Sequence, residues 1–282
     1  MTDQSLANLL HRVKIDRGLD LSGYKESFVR RRLQSRLRIL ELDNIDEYCF
    51  FLRKHPDEYA KLLDVLAINV TEFFRDPNLF KVLSKTVVPE LCRMRDSTPA
   101  KVLRFLSAGG ASGEEAYSLA IMLHETLGQR LDEYSLSIKM IDIDQDCISK
   151  ARKATYAPDR LKNVPLQILQ KYFTEKNGLY VVNPEIQKMV KAYHLDILTD
   201  NIPKCFDLIL CRNVMIYFSK ESHGRIFLKL HSALSTGGFL VLGRTETMIG
   251  ANKALFDTFD AKERIYKRKE PVSLFRPSAG FR

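Results

Sequence analysis

A glycine turn that leads directly into two carboxylates is the first pattern in this sequence that could do chemistry. The run LSAGGASGEEAYSLA, residues 106–120, passes from an apolar strand through three glycines, the first being Gly109, to a helix-like segment that opens with Glu114 and Glu115. Glycines let the backbone approach a ligand closely and adopt positive φ. A phosphate loop would continue with G-K-[ST], and acids at a helix start would repel an anion. The turn therefore favours a cationic or zwitterionic ligand.

Polar residues also end two later apolar runs, SLSIKMIDID and FDLILCRN. After the first run, Asp142, with Asp144 as the alternative, is placed to accept hydrogen bonds from both hydroxyls of a ribose. After the second, Asn213 is expected to face the same crevice, and Tyr217 follows one turn later, either beside the ligand or in the core. S-adenosylmethionine combines a sulfonium, an amino group and a ribose diol, so it suits a crevice lined by carboxylates.

The elements that must hold these residues are those of an α/β fold. After residue 101, four short apolar runs, of which the first three precede helix-like segments, predict a parallel sheet flanked by helices. The run LFDTFDAKERIYKR near the end predicts an antiparallel hairpin at the sheet edge. Between residues 158 and 195, Asn-Gly and Asn-Pro turns separate short apolar runs, which predicts a small antiparallel β insert.

Residues 1–91 are predicted to form an N-terminal all-α domain. Helical periodicity is present in four segments, at residues 6–13, 28–42, 45–54 and 58–68. Asn44 is a plausible N-cap of the third. The polar residues 92–101 predict a linker to a second domain over residues 102–270, and residues 271–282 form a tail.

Composition narrows the function classes further. Of the 282 residues, 45% are hydrophobic and 28% charged, as in ordinary soluble proteins. No apolar run reaches the roughly 18 residues of a membrane span, which predicts no membrane insertion. The five cysteines form no C-x-x-C pair and the six histidines are scattered, which favours reduced thiols and no metal site. A cytoplasmic, metal-free protein is therefore expected.

The formal charge of +9 indicates an anionic partner, and part of this charge is concentrated in one segment. The run SFVRRRLQSRLRIL, residues 27–40, contains five arginines and no acid, with apolar residues at helical spacing. Arg31 and Arg38 fall on one side of the predicted helix. This arginine face is either an ordinary solvated surface or a docking surface for an acidic partner.

Taken together, several stretches resemble the chemotaxis receptor methyltransferase family, the CheR type. They keep the order and approximate spacing of that family from about residue 20 to residue 268. The matching stretches are NVTEFFRD (69–76), SAGGASGEEAYSLA (107–120), IDIDQDCISKARKATY (141–156), FDLILCRNVMIYF (206–218) and GGFLVLGRTETM (237–248). The ending GRTETM departs from a common G-H-S-E pattern, and no role is assigned to Arg244.

The resemblance implies a fold and an activity. The fold is an N-terminal all-α domain followed by a Rossmann-like class I S-adenosylmethionine-dependent methyltransferase domain with a small antiparallel β insert. The implied activity is transfer of a methyl group to glutamate side chains of methyl-accepting chemotaxis receptors, on their cytoplasmic helices, giving glutamyl methyl esters and S-adenosyl-L-homocysteine. With the glycine turn included, the expected cofactor contacts are Asn69, Thr71, Arg75, Ser107, Gly109, Glu114, Glu115, Asp142, Asp196, Ile197, Arg212 and Asn213.

Methyl transfer from a sulfonium to an ionised carboxylate needs no strong general base, so catalysis should rest on alignment and desolvation. Tyr217 is the candidate for orienting the acceptor carboxylate or flanking the sulfonium, and Arg93 (or Arg95) for holding the carboxylate. Arg31 and Arg38 are expected to dock the receptor, with the enzyme acting as a monomer. Two rival readings are a nucleic-acid methyltransferase, which would have a target-base motif that is missing here, and a regulator that binds cofactor without catalysis.

Overall fold

Four helices form a compact N-terminal unit in the computed structural model, which describes residues 3–17, 20–66, 71–248 and 250–269. They are α1 Asp3–Arg17, α2 Glu26–Ile39, α3 Ile45–Lys54 and α4 Glu58–Leu66. Helix α3 begins after Asn44, whose side chain accepts the backbone N–H of Glu47 at 2.9 Å, which confirms the predicted cap. The apolar faces of all four helices meet in one core, around residues such as Leu9, Leu33 and Tyr48.

Helix α2 does not expose all five of its arginines. Arg36 is buried and forms a bidentate ion pair with Glu58 of α4, which also accepts the hydroxyl of Tyr48 at 3.1 Å. The predicted arginine face is therefore wrong at this position, because the inward side of α2 needs a cation to compensate a buried carboxylate. Arg31 and Arg38 are exposed, as expected of a docking surface.

The next helices belong to the sheet rather than to the four-helix unit. Helices α5 Pro77–Val82 and α6 Val88–Asp96 are joined by a π-helical turn, Leu83–Val87. Their apolar residues share a core with Phe105 and Leu208 of the sheet. The compact helical unit therefore ends near Leu66 rather than at residue 91. The predicted linker at 92–101 is helical up to Asp96, because Cys92 is buried against the sheet core.

A seven-stranded sheet forms the centre of the second domain, in the order β6-β2-β1-β7-β8-β10-β9. Its strands are β1 Val102–Ala108, β2 Ser135–Asp142, β6 Val190–His194, β7 Phe206–Cys211, β8 Leu234–Leu242, β9 Phe256–Asp260 and β10 Ile265–Arg268. The first five are parallel to one another, whereas β10 pairs with β8 in the antiparallel direction and forms the predicted edge hairpin with β9. The helices of this domain are α7 Glu114–Leu127, α8 Gln145–Lys153, α9 Leu166–Tyr172, α10 Pro184–Gln187 and α11 Lys220–Ala233.

The β insert is present as a separate three-stranded antiparallel sheet. Its strands, in the spatial order β3-β5-β4, are β3 Thr155–Tyr156, β5 Leu179–Val182 and β4 Phe173–Lys176. The insert was predicted to lie within 158–195, but its first strand, β3, precedes this span. At the other end, α10 returns the chain to the main sheet, where β6 pairs with β2. None of the described helices has the length and apolar character needed to cross a bilayer.

Candidate active site

A crevice lies at the carboxyl ends of β1, β2 and β7, where the strand order reverses around β1. Two adjoining pockets, of about 200 and 90 Å³, share the lining residues Gly109, Ala111, Asn213 and Tyr217, so they form one elongated crevice. Gly109 has φ +73°, and a Cβ atom there would lie 2.4 Å from Cγ2 of Val214. This turn therefore requires glycine, and the crevice lies at the switch point where doubly wound folds bind ligands.

The first pocket has a carboxylate held in place by buried partners. Glu115 accepts the hydroxyl of the fully buried Ser107 at 2.8 Å and pairs with Arg212 at 3.0 Å. Arg212 is itself buried, pairs with Asp76 and donates to the backbone carbonyl of Arg75 at 3.1 Å. Arg212 thus compensates two carboxylates, which keeps Glu115 oriented while it lines the pocket.

The structure separates the two adjacent glutamates of the glycine turn. Glu114 is buried away from both pockets, and its carboxylate accepts the hydroxyl of Ser112 at 2.7 Å. Burial raises the pKa of Glu114. Successive residues of α7 point about 100° apart, and of the two glutamates only Glu115 turns towards the crevice. The contact of Glu114 with the cofactor stays a prediction.

The second pocket contains the acid expected at the end of β2. Asp142 is buried and accepts backbone N–H groups of Ala111 at 2.8 Å and of Asp144 at 2.9 Å. Burial raises the pKa of Asp142, and these hydrogen bonds oppose the rise. Asp144, the alternative, caps helix α8 by accepting the N–H of Asp146 at 2.8 Å. Of the two acids, Asp142 is the one that lines the crevice.

Apolar walls and a second carboxylate complete this pocket. Ile143 and Ile197 line it together with Asp196. Asp196 accepts the N–H of Leu198 at 2.8 Å and the hydroxyl of Thr199 at 3.1 Å, and burial raises its pKa. Because the turn is held by its own side chains, both Asp196 and Ile197 keep a fixed position. The pocket thus combines apolar walls with two carboxylates, those of Asp142 and Asp196.

The N-terminal four-helix unit covers part of the crevice at the carboxyl ends of the strands. Tyr24 and Leu66 line the second pocket. The backbone N–H of Lys25 donates to the carbonyl of Tyr217 at 2.9 Å, and the Tyr217 ring lies 5.1 Å from that of Phe28. Burial raises the pKa of Tyr217, and Arg75 is the strongest opposing influence. Tyr217 is therefore half-buried between the pockets and held by both domains. Sequence reasoning missed Tyr24, since a lone aromatic before α2 carries no signal of its distant partners.

Arg93 does not line either pocket of the crevice. It is exposed in the last turn of α6, two residues before Arg95, which pairs with Asp207 near the amino end of β7. Arg212 lies five residues further on at the carboxyl end, about 16 Å away at ~3.3 Å per strand residue. Helix α6 thus places Arg95 near the amino ends of the strands, and a role of Arg93 or Arg95 in holding the acceptor carboxylate stays a prediction. Arg75 lines the first pocket instead.

Of the remaining residues predicted to contact the cofactor, some line the crevice and one lies outside the described residues. Thr71 and Asn213 line the first pocket. Asn69 lies outside the described residues, as does the tail at 271–282. One acid that sequence reasoning missed is Glu246, whose buried carboxylate accepts three backbone N–H groups next to Asn213. Its signal in the sequence is the same as for Asp142, an acid soon after a buried parallel strand.

A doubly wound sheet with a glycine turn after β1 and acids at the carboxyl ends of the adjacent strands β2 and β6 is typical of a class I S-adenosylmethionine-dependent methyltransferase. The comparisons with known proteins agree. Residues 69–265 match the family model for the CheR methyltransferase SAM-binding domain, and residues 4–67 match the CheR all-alpha domain. The chain therefore belongs to the CheR methyltransferase family, which confirms the predicted family, fold class, cofactor and methyltransferase activity.

Relatives share this similarity over most of the chain. A chemotaxis protein methyltransferase of Borreliella burgdorferi is 32% identical over 260 residues, covering 90% of this chain and 92% of the relative. One of Listeria innocua is 35% identical over 237 residues, covering 84% and 87%. A 104.1 kDa protein of Rhodobacter capsulatus is 29% identical over 268 residues, which is 95% of this chain but 28% of that protein. The same unit thus also matches part of a larger polypeptide.

Proposed function

We propose that this enzyme transfers the methyl group of S-adenosylmethionine to the γ-carboxylate of glutamates on chemoreceptor helices, in a crevice whose acceptor side is formed by Tyr217 and Arg75. The observation that carries the proposal is their position beside two fixed carboxylates, Glu115 and Asp142, in one elongated crevice. A cationic ligand with a diol matches those carboxylates, and an anionic acceptor matches Arg75. The crevice thus brings opposite charges together, as methyl transfer to a carboxylate requires.

The chain's own residues fit the cofactor from end to end. Asp142 would accept the ribose hydroxyls, Ile143 and Ile197 would enclose the adenine, and Glu115 would accept the amino group of the methionine moiety. When bound, the cofactor supplies an electrophilic methyl group on a sulfonium. Asn213 would contact the methionine end of the cofactor, and Arg75, which lines the same pocket as Glu115, can hold an oxygen of the acceptor carboxylate.

Tyr217 is suited to align the acceptor rather than to remove a proton. Burial raises its pKa above the ordinary value of 10.0, so the hydroxyl stays protonated near neutral pH and can donate to a carboxylate. Glutamate is already ionised at that pH, so no base is needed. Tyr24, Leu66 and the Tyr217 ring exclude water from the crevice, which strengthens every charge interaction within it.

Helix α2 supports the docking of an acidic receptor helix. It begins at Glu26, directly after Lys25, whose backbone N–H donates a hydrogen bond to the carbonyl of Tyr217. Arg31 is exposed on this helix and close enough to Tyr217 to influence its pKa. A glutamate-rich helix lying along Arg31 and Arg38 would therefore run past the mouth of the crevice. The proposal includes a monomeric enzyme acting in the cytoplasm, where these receptor helices lie.

The test uses S-adenosylmethionine labelled in its methyl group, with a receptor cytoplasmic fragment as acceptor. A glutamyl methyl ester is hydrolysed by alkali and releases volatile labelled methanol, which methylated nitrogen does not. The matched control is the same fragment with its methylation-site glutamates replaced by glutamine, which should take up no label. Labelling of DNA or RNA instead of the fragment would contradict the proposal, and cofactor binding without transfer would indicate the regulator.

A further inference from the structure

Glu246 carries a buried carboxylate that caps no helix and forms no ion pair with another of the described residues. It is 4% exposed and follows the end of β8 by four residues. Its Oε2 accepts the backbone N–H of Gly243 at 2.7 Å and of Asn213 at 2.9 Å, and its Oε1 accepts that of Ile216 at 3.3 Å. One side chain thus joins the ends of β7 and β8.

The backbone around this carboxylate is shaped to reach it. Asn213 has φ 58°, a left-handed conformation that few residues other than glycine, asparagine and aspartate adopt. A Cβ atom at Gly243 would lie 2.8 Å from both the Asn213 nitrogen and Oε2 of Glu246, so no larger residue fits there unchanged. Buried N–H groups without an acceptor are costly, so the carboxylate determines where these three groups can lie.

The segment held in this way carries two residues of the crevice. Asn213 lies in both pockets, and Tyr217 directly follows Ile216. Each carboxylate oxygen serves one of them: Oε2 holds the Asn213 end of the segment and Oε1 holds the Tyr217 end. Glu246 itself does not line either pocket.

We propose that Glu246 is a positioning residue for methyl transfer, which fixes the segment from Asn213 to Tyr217 without touching cofactor or acceptor. The proposal rests on the role proposed above for Tyr217. The two ends of this segment have different roles: the Asn213 end serves cofactor binding, and the Tyr217 end serves the transfer step.

Glu246→Gln tests this separation. The glutamine oxygen can take over from Oε2, while its NH2 group faces the Ile216 N–H and cannot accept from it. The expected result is a fall in kcat of at least about tenfold, with the Kd for S-adenosylmethionine changed by less than about threefold. The matched control is Asp207→Asn. Asp207 is also buried and also accepts a backbone N–H, that of Arg104 at 2.8 Å, but at the amino end of β7. It should lower the melting temperature and leave kcat unchanged.

A second measurement follows the segment directly. The chain contains no tryptophan, so Tyr217→Trp introduces a single fluorescent reporter at the segment's end. In that background, Glu246→Gln should increase quenching of the tryptophan by acrylamide, and Asp207→Asn should not. This readout does not depend on turnover, so it still reports on Glu246 if Tyr217→Phe shows that the tyrosine has no catalytic role.

Three results would overturn the proposal. The first is an unchanged kcat in Glu246→Gln, and the second is an equal loss of kcat in Asp207→Asn. The third is loss of folding in Glu246→Gln but not in Asp207→Asn, because the carboxylate would then hold the domain together rather than the segment.

Discussion

Replacing Asp142 by asparagine tests directly where the ribose of S-adenosylmethionine lies. The carboxylate already accepts two backbone N–H groups, from Ala111 at 2.8 Å and Asp144 at 2.9 Å, one on each oxygen. Each oxygen has a second lone pair, so both ribose hydroxyls can still be accepted. Asparagine keeps the size of the side chain but replaces one acceptor by an NH2 group. One ribose hydroxyl therefore loses the charged oxygen that accepts the hydrogen bond from its O–H group.

The size of the effect follows from that single lost bond. A hydrogen bond to a charged group contributes about 1.5–3 kcal/mol, which corresponds to about 10- to 150-fold in Kd. Isothermal titration calorimetry with S-adenosylmethionine measures this change. The same NH2 group also faces a backbone N–H, so a lower melting temperature is expected, and the titration is made on protein shown to be folded by circular dichroism.

Asp144→Asn is the matched control for this experiment. Asp144 follows the same strand but caps helix α8, a position where asparagine is about as favourable as aspartate, so its replacement should change stability little and leave Kd within about twofold. An unchanged Kd in folded Asp142→Asn would refute the assignment of the ribose. A larger loss of affinity in Asp144→Asn than in Asp142→Asn would move the ribose to the other acid.

Three further predictions concern other parts of the molecule. Tyr217→Phe should lower kcat for receptor methylation while the Kd for S-adenosylmethionine stays constant, because only the donor to the acceptor carboxylate is removed. Glu114→Gln should be more stable than the wild type at pH 7 in thermal unfolding. Burial raises the pKa of Glu114 above 4.5, so ionisation destabilises the fold above the raised pKa, and the difference should vanish as pH falls to 4.5. Replacing Arg31 and Arg38 by glutamate should raise the KM for receptor, with a defect that shrinks as salt rises, since exposed charges are screened.

Each of these has an outcome that contradicts it. Equal turnover in Tyr217→Phe at saturating substrates would return the tyrosine to a packing role. A Glu114→Gln protein that is less stable than the wild type at pH 7, or that binds cofactor more weakly, would place Glu114 in the site. Normal methylation by the Arg31 and Arg38 variant at low salt would show that the arginine face is only solvated.

The sequence by itself determined the features that depend on neighbouring residues. The glycine turn before α7, the cap at Asn44 and the acid at the end of β2 each follow from a short run whose conformation is set by its own φ preferences and side-chain hydrogen bonds. The order of such runs predicted the α/β fold and the family. It also predicted the crevice, because the carboxyl ends of parallel strands must meet at one edge of a sheet.

Only the tertiary structure decided which side chains reach that crevice. Adjacent acids such as Glu114 and Glu115 look alike in the sequence, but the packing of α7 on the sheet turns one inward and the other away. Arg93 was a candidate because it lies near the predicted linker, yet it is exposed on α6, whose Arg95 pairs with Asp207 near the amino end of β7. Tyr24 is about 190 residues from Phe218, the neighbour of Tyr217, with which it pairs. Glu246 is about 30 residues from Asn213 and Ile216, whose N–H groups it accepts. No local pattern specifies these partners. Burial and long-range pairing arise only when the elements pack, and so they decided what local periodicity left open.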